Sequence, residues 1–326
     1  MKVFYSDQFV LPLPEGHRFP MEKYSMLRER VELADICRPG EMRVPHVVTD
    51  EEILRAHDPG YLKKVVTGAL DAREIRRIGF PWSERMVERS RRASGGTLSA
   101  CRAALEEGLA ANLAGGTHHA FADRGEGFCV LNDSAIAART LTAEGLVKKV
   151  VVLDTDVHQG NGTAAILRED PKVFTFSIHG AKNFPFRKEE SDLDVELPDG
   201  ADDGTFLEAL AKALEQALDR ADAGLAIFLA GADPFAGDRL GRLSVTKEGL
   251  AERDRLVLKS CRERTIPVVV TMAGGYAKEV ADTVDIHFQT IQSAATLLRA
   301  ERYTQAAYTD NGSRTVGIRD LAPDES

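Results

Sequence analysis

The sequence predicts a single α/β domain in which an open, mostly parallel sheet is covered by helices on both faces. Short β-branched runs such as Val150–Asp154 and Pro267–Met272 lack polar alternation, which is typical of strands that are buried on both faces. Longer segments with helical patterning separate these runs. No repeat or flexible linker divides the 326 residues, so we expect one domain over residues 1–300. The sequence becomes polar after Ala300, which predicts a poorly ordered tail over residues 301–326.

The strands and helices are placed by their apolar patterns and by the turn residues between them. The predicted strands are Lys2–Tyr5, Asn112–Ala114, Val150–Asp154, Val173–Ile178, Leu225–Ala230 and Pro267–Met272. The predicted helices are Glu22–Ala34, Asp50–His57, Glu84–Gly108, Ser134–Glu144, Thr163–Arg168, Asp203–Ala221 and Thr246–Arg264. Thr49 or Asp50 is the expected N-cap of the second helix. We expect Ser94-Gly95-Gly96 to break the third helix, because glycine destabilises helix interiors.

The composition excludes several classes of function. Acidic residues number 51 and basic residues 42, a formal charge of −9, which argues against a general nucleic-acid binder and does not repel a cationic substrate such as a lysine side chain. The apolar stretches, such as Gly224–Ala232, are too short to span a membrane, and the N-terminus lacks the pattern of a signal peptide. The four cysteines show no CxxC spacing, which predicts reduced thiols in a cytoplasmic protein.

Chemically reactive side chains follow five of the predicted strands. Ligands bind beyond the carboxyl ends of the strands in open α/β sheets, so an enzyme should carry its chemistry there. The residues at these five ends are His118 and His119; Asp154, Asp156 and His158; His179; Asp233; and Tyr276. Any one of them has an ordinary structural explanation, such as a hydrogen-bonded core histidine or a helix-capping aspartate. Their occurrence at five strand ends is much harder to explain that way.

Three of these residues suit a metal ion. Asp156 and His158 are two positions apart, so an extended backbone points both side chains the same way. Asp233 is the carboxylate at another strand end that could complete the set. One histidine and two carboxylates with an open position form a plausible catalytic site for zinc or iron(II).

The remaining polar residues suit hydrolysis of an amide. A metal ion lowers the pKa of water toward neutrality, but a general base is still needed. His118 and His119 are candidates for that base, and Asp154 and Asn161 are candidates for orienting them. Tyr276 follows a flexible Gly-Gly pair and could donate a hydrogen bond to a developing oxyanion.

These residues resemble the histone deacetylase family. The matching stretches are Gly115–Ala120, Gly127–Asp133, Asp154–Thr163, Gly231–Leu240 and Ala273–Tyr276. They follow the family's order over most of the chain, from His17 to Tyr276. Three features are similar to class IV deacetylases and their bacterial relatives: Gln159 after the candidate ligand His158, the run Asp123–Cys129, and Gly237–Ser244.

The resemblance implies an arginase-like open α/β fold and hydrolysis of acyl-lysine, in a protein or peptide substrate, to lysine and a carboxylate. It implies zinc on Asp156, His158 and Asp233. It pairs His118 with Asp154 and His119 with Asn161, and it makes His119 the general base and acid.

The resemblance also implies a potassium ion and a substrate tunnel. The potassium ligands would be the side chains of Asp154 and Ser177 and the backbone carbonyls of Asp156, His158 and Ile178. The substrate-binding positions would be Gly127, Phe128, Phe184, Leu240 and Gly275. Similarity to class IV members further predicts a preference for acyl groups longer than acetyl. The neutral Asn161, where some classes have Asp, should leave His119 with a lower pKa than in those classes.

Three other functions are alternatives to acyl-lysine hydrolysis. A hydrolase of small acylated amines, such as acetylpolyamines, is the main alternative, and the short N-terminal region argues against it. A non-catalytic acyl-lysine-binding module should have lost a ligand, a histidine or the tyrosine, and none is lost. An arginase-like dimetal enzyme is disfavoured because Gln159-Gly160 follows Asp156-Val157-His158 and breaks the DxHxD pattern.

Overall fold

The eight strands form one parallel sheet. The computed structural model describes residues 1–314, with side chains for residues 1–300. The strands are β1 (Lys2–Phe4), β2 (Met42–Arg43), β3 (Leu109–Asn112), β4 (Val150–Asp154), β5 (Val173–Gly180), β6 (Leu193–Leu197), β7 (Leu225–Leu229) and β8 (Val268–Thr271). Their order across the sheet is β2-β1-β3-β8-β7-β4-β5-β6. Because every pair is parallel, all the carboxyl ends meet at one edge.

Ten helices accompany the sheet in the described part of the chain. They are α1 (Lys23–Leu33), α2 (Asp50–Leu54), α3 (Pro59–Thr67), α4 (Ala72–Ile78), α5 (Glu84–Glu107), α6 (Asp133–Ala143), α7 (Asn161–Leu167), α8 (Asp203–Ala221), α9 (Lys247–Glu263) and α10 (Val280–Arg314). Thr49 is the N-cap of α2, with a complete capping box to Glu52, and Thr246 caps α9.

Both faces of the sheet are buried, as the unbroken apolar runs predict. Along β4, Val151 and Leu153 belong to one hydrophobic cluster, which includes the apolar side of α8. Val150 and Val152 belong to a second cluster on the other face, which includes residues of α5 and α6. The predicted α/β fold, an open parallel sheet between helices, is therefore confirmed.

The prediction of a break in the third predicted helix is wrong, because α5 is continuous. A Cβ atom on Gly95 would lie 2.0 Å from the carbonyl oxygen of His46, and one on Gly96 would lie 2.5 Å from Oδ1 of Asn112. The two glycines therefore allow the helix to pack against its neighbours, and this packing compensates for their low helix propensity.

Several boundaries also differ from the predictions. The strand predicted at Asn112–Ala114 is β3 and begins at Leu109, where small alanines are buried on both faces of the sheet. β2, β6, α3, α4 and α10 were not predicted. α10 continues past Ala300, where the tail was expected to begin, and is described as far as Arg314. The remainder of the predicted tail, 315–326, lies outside the described residues.

The cysteines and the lengths of the apolar helices bear on two predictions made from composition. All four cysteines are free thiols, three of them buried. Within the described residues, no helix combines the length and apolarity needed to cross a bilayer.

Candidate functional site

The histidine pair lies on a loop that only glycine could form at its start. Gly115 and Gly116 have positive φ angles of 80° and 72°. A Cβ on Gly116 would lie 2.4 Å from the Cα of Ala273, at the end of neighbouring β8. The loop therefore passes against the next strand end, and this close approach brings His118 and His119 over the edge of the sheet.

Asp133 fixes the conformation of this loop. Its fully buried carboxylate accepts hydrogen bonds from the backbone amides of Gly116 and Thr117, at 3.0 and 2.7 Å, and from the Thr117 hydroxyl at 2.6 Å. It also accepts one from the hydroxyl of Thr97, on α5, at 2.5 Å. Four donors on one buried carboxylate hold the loop in place. Asp133 lies in a motif of the resemblance, but the sequence did not reveal this role.

Each histidine of the pair has its own oriented partner. The Nδ1–H of His118 donates to Asp154 Oδ2 at 2.7 Å, and the Nδ1–H of His119 donates to Asn161 Oδ1 at 2.7 Å. The two rings are 4.1 Å apart between centroids. The structure thus contains both of the pairs that were predicted.

The electrostatic environments of the two histidines differ. Burial alone would lower the pKa of His118, but the carboxylates of Asp154 and Asp156 outweigh it and raise that pKa to about 9. Burial, together with the positive charges of His118 and His158, holds the pKa of His119 well below its ordinary value. His119 is therefore the neutral member of the pair. Burial is the largest cause of this low pKa. That Asn161 leaves the pKa lower than an Asp would stays a prediction.

Asp156, His158 and Asp233 form a buried cluster that could hold a metal ion. One ligand atom from each lies within 4.8 Å of the others. Asp156 Oδ2 accepts from the amide of Gly274 at 2.7 Å, and Asp233 Oδ1 accepts from the amide of Val157 at 2.9 Å. These bonds tie the ends of β4, β7 and β8 together, so the fold places the three ligands before any ion binds.

The cluster has the charge of a cation site. Asp233 Oδ2 is buried without a hydrogen-bond donor, and His158 Nδ1 lies 3.3 Å from it. Burial and the neighbouring charge of Asp156 raise the pKa of Asp233 to about 7. Two buried carboxylates and a histidine, one oxygen being unpartnered, fit a divalent ion, which would neutralise the negative charge.

A backbone hydrogen bond holds Tyr276 at the same carboxyl-terminal edge of the sheet. Its amide donates to Asp238 Oδ2 at 2.6 Å, and the other oxygen of Asp238 accepts from the amides of Leu240 and Gly241. Lys23, 2% exposed, donates to the Gly275 carbonyl at 3.2 Å and lies 5.2 Å from the centre of the Tyr276 ring. Burial raises the pKa of the Tyr276 phenol well above 10, so it stays protonated as a donor. Nothing in the sequence around Lys23 pointed to this contact.

The predicted substrate-binding residues do not all line the same space. A cavity of about 750 Å³ contains the histidine pair, the metal cluster and Tyr276, and Gly127, Phe128, Phe184 and Leu240 line it. The Phe184 ring meets that of His119 edge-on at 5.0 Å. Gly275 was predicted to bind substrate, but it is not part of this lining. A Cβ there would lie 2.6 Å from Thr283 and 3.5 Å from His287, so this residue faces α10.

Two further residues from the sequence argument lie away from the cavity. His179 is fully buried within β5, where its Nδ1 is 2.9 Å from the Ser177 hydroxyl. Gln159 bonds the backbone of Glu189 and the side chain of Asp194. Neither residue lines the cavity. Four of the five predicted strand ends therefore contribute residues to the site, and the strand end that carries His179 does not.

The two side chains of the predicted potassium site lie on the adjacent strands β4 and β5. Asp154 and Ser177 are directly paired across β4 and β5. Both side chains are buried, and Asp154 Oδ1 accepts from the amide of Asp156 at 3.1 Å. The register therefore brings the two side chains of the predicted set next to each other.

Comparisons with known proteins agree with this arrangement. A family model, the histone deacetylase domain, matches residues 17–291. An uncharacterized protein of Picosynechococcus sp. is 45% identical over 285 residues, covering 87% of this chain and 95% of that protein. Histone deacetylase 2 of Arabidopsis thaliana is 32% identical over 247 residues, which are 72% of this chain and 64% of that one.

A solved structure shows the same fold. The acetylpolyamine aminohydrolase of Burkholderia pseudomallei superposes with a TM-score of 0.76 at 22% identity, over 91% of this chain and 99% of that one. The family match covers most of the chain and includes every residue of the metal cluster, both histidine pairs and Tyr276. The chain therefore belongs to the histone deacetylase family of hydrolases.

Proposed function

We propose that this chain is a zinc-dependent hydrolase of acyl-lysine amides. The observation that carries the proposal is the convergence of three elements on one cavity: the cluster of Asp156, His158 and Asp233, the oriented histidine pair, and Tyr276. A catalytic metal site, a general base and an oxyanion donor are the parts that amide hydrolysis requires.

Asp156, His158 and Asp233 are the proposed zinc ligands. The unpartnered Asp233 oxygen and the raised pKa of that carboxyl support this assignment. Zinc, when bound, supplies Lewis-acid chemistry by polarising the substrate carbonyl and lowering the pKa of water. Iron(II) suits the same ligands, and reconstitution of the metal-free protein with each ion separates the two.

His119 is the proposed general base. Because its Nδ1–H donates to Asn161, the lone pair of Nε2 is available to accept the proton of the attacking water. Its low pKa keeps that lone pair unprotonated at neutral pH. The proton then passes to the departing lysine amine, so that amide and water become amine and carboxylate. His118, charged through its bond to Asp154, contributes a positive charge beside the reacting carbonyl.

Tyr276 is the proposed oxyanion donor. Its phenol is protonated and almost fully buried in the cavity wall. A hydrogen bond from a fixed donor in a dry site gains strength as the carbonyl oxygen becomes negative. The backbone bond to Asp238 holds the residue in position for this role.

The cavity supports a preference for acyl groups longer than acetyl. Its volume is within the range of ordinary ligand pockets, and apolar side chains from separate segments line it, among them Leu11, Met86, Ala93 and Leu131. Each buried methylene contributes about 0.8 kcal/mol, or roughly fourfold in affinity. The place of this chain near class IV remains a prediction.

A potassium ion between β4 and β5 belongs to the same proposal. The adjacency of Asp154 and Ser177 supports it, with the carbonyls of Asp156, His158 and Ile178 as the other ligands. The ion would lie behind His118, whose partner is Asp154, and would therefore stabilise that carboxylate in its charged form.

Hydrolysis of small acylated amines is the second candidate function. The fold shared with an acetylpolyamine aminohydrolase favours it. The same catalytic groups would serve either substrate, so only the substrate itself distinguishes the two functions.

The experiment compares one lysine peptide carrying acetyl, butyryl, octanoyl or myristoyl groups with acetylspermidine and acetylputrescine. Product amine is measured by mass spectrometry on the zinc-loaded protein, and Asp233→Asn serves as the control for contaminating activity. We expect the lysine peptides to be hydrolysed, with kcat/KM for octanoyl at least about tenfold above acetyl.

The outcomes separate the parts of the proposal. Faster turnover of the acetylpolyamines would contradict the lysine assignment. A steady fall in kcat/KM from acetyl onward would show a closed pocket and leave a short-chain deacetylase.

A further inference from the structure

The mouth of the cavity is strongly basic, although the whole chain is acidic. We define the cationic mouth as the basic residues that line the outer part of the cavity: Arg18, Arg76, Arg77, Lys182, Arg239 and Arg242. All are exposed except Arg77, which is half-buried. Among the described residues that line the cavity, Glu126 is the sole carboxylate other than the two in the metal cluster. A chain with a formal charge of −9 therefore concentrates positive charge where a substrate enters.

Packing between loops brings these residues together from distant parts of the sequence. His17 Nε2 donates to the Gly79 carbonyl at 2.9 Å, which places Arg18 beside the end of α4, where Arg76 and Arg77 lie. On the other side, the side chain of Asn183 donates to the Leu240 carbonyl at 2.9 Å and accepts from the Arg242 amide at 3.2 Å. This places Lys182 beside Arg239 and Arg242, so the positive charge surrounds the opening.

Much of this charge has no acidic partner in the protein. Arg242 and Lys182 share Asp199. Arg239 donates only to the backbone carbonyls of Tyr276 and Ala277. Among the ion pairs formed by the described side chains, none involves Arg18 or Arg76. A helix C-terminus favours basic residues, which accounts for the two arginines in the last turn of α4. It does not account for Arg18 or Arg239, which lie on loops.

An exposed aromatic ring adjoins the same opening. Phe186 lines the cavity but is 90% exposed, and its ring is 6.5 Å from that of Phe184. A large apolar side chain that is solvated in the free protein gains from being covered, so a polypeptide lying across the mouth would stabilise it. A small amine that enters the cavity alone would not cover this ring.

We propose that the cationic mouth selects acyl-lysine residues in acidic polypeptide segments, through Asp or Glu side chains that flank the acylated lysine. The inference rests on the proposed function and specifies its substrate class. The same charges would disfavour lysine-rich or arginine-rich flanks and free polyamines, since like charges at an entrance repel. A polypeptide fits better than a nucleic acid, because the basic residues are confined to the opening and the rest of the acidic chain would repel a long polyanion.

The test uses three peptides that differ only at the four positions around one octanoyl-lysine, which carry Glu, Gln or Lys. The wild type is compared with the double variant Arg18→Gln/Arg76→Gln. The matched control is Arg73→Gln/Lys212→Gln, which removes the same two charges from exposed positions outside the cavity, one of them on the same helix α4. Both doubles therefore have the same formal charge, −9 − 2 = −11.

For the wild type, we expect kcat/KM to fall from the Glu peptide to Gln and again to Lys, by at least about threefold per step. An exposed ion pair contributes roughly 1.4- to fivefold, and each peptide can form several. In the Arg18→Gln/Arg76→Gln variant, the ratio of kcat/KM on the Glu peptide to kcat/KM on the Lys peptide should fall by at least about threefold. In the control variant this ratio should stay the same. Raising the salt concentration to about 1 M should reduce the ratio, because the screening length falls to about 3 Å.

Equal rates on the three peptides, a preference for Lys flanks, or equal ratios in the two doubles would overturn the inference and leave the proposed function intact. Stronger inhibition by a short single-stranded oligonucleotide than by a Glu-flanked, unacylated peptide would reassign the mouth to nucleic acid. If no acyl-lysine peptide is hydrolysed, the proposed function itself fails, and this inference fails with it.

Discussion

The floor and the mouth of the cavity differ in both charge and exposure. On the floor, Asp156, His158 and Asp233 are buried, and the two carboxylates accept hydrogen bonds from backbone amides at other strand ends. At the mouth, Arg18 and Arg76 are exposed and make no ion pair among the described residues. The floor is preorganised by the sheet, whereas the mouth is assembled from loops and the end of α4.

This difference determines how large an effect each region can have. Charges on the floor act in a dry, low-dielectric environment, where removing one partner costs several kcal/mol. Charges at the mouth are solvated and screened, and each is worth about 1 kcal/mol or less. Floor residues should therefore control whether the reaction occurs, and mouth residues which substrate enters. The effect of a floor substitution on kcat/KM should change little with salt concentration, whereas the effect of a mouth substitution should change strongly.

The largest effect is expected for Asp233→Ala, which should abolish metal binding and turnover because the proposed zinc site loses one of its three protein ligands. Asp233→Asn should behave similarly in turnover and serves as the control for folding, since its amide oxygen can still accept from Val157. Metal content per chain and thermal melting of both variants check this. Full metal occupancy with a near-normal rate in Asp233→Ala would refute the ligand assignment.

Tyr276→Phe should lower kcat by about 10²–10³, the usual effect of removing one oxyanion donor, and should leave substrate binding in place. Steady-state kinetics on the purified variant, with its melting temperature measured in parallel, provide the check. If Tyr276 only packs against Phe19 and Phe128, stability should fall while kcat per folded molecule barely changes.

A smaller effect is expected for Asn161→Asp, which places a carboxylate against Nδ1 of His119 and should raise the pKa of that ring by about one unit or more. The base must be unprotonated to act. A higher pKa therefore moves the acidic limb of the kcat/KM profile to higher pH, and the rate on that limb should fall. A limb that does not move would indicate that a different group, such as His118, is the base.

Most of the floor could be predicted from the sequence. Asp156 and His158 adjoin a strand end, and Asp233 follows another, so an assignment of parallel strands places all three at one edge. The placement of these three residues could be predicted because a parallel sheet aligns its carboxyl ends. The pairings of His118 with Asp154 and of His119 with Asn161, which the resemblance implies, are present as hydrogen bonds.

The supporting contacts could not be predicted in the same way. Asp133 holds the histidine loop, Asp238 holds Tyr276, and Lys23 contacts Gly275 from 252 residues away. None of these contacts follows a helical or strand period. Gly275, a motif position predicted to bind substrate, is not part of the cavity lining, and a Cβ there would face α10.

The sequence by itself determined the class of fold, the strand ends that carry chemistry, and the residue types of the site, because these depend on local apolar patterns and on the geometry that all parallel sheets share. Only the tertiary structure decided that α5 passes unbroken through Gly95 and Gly96, and that six basic residues surround the cavity mouth. Both depend on contacts between segments far apart in the chain. An overall charge of −9 gives no sign of a basic entrance, because composition sums charges without regard to where folding places them.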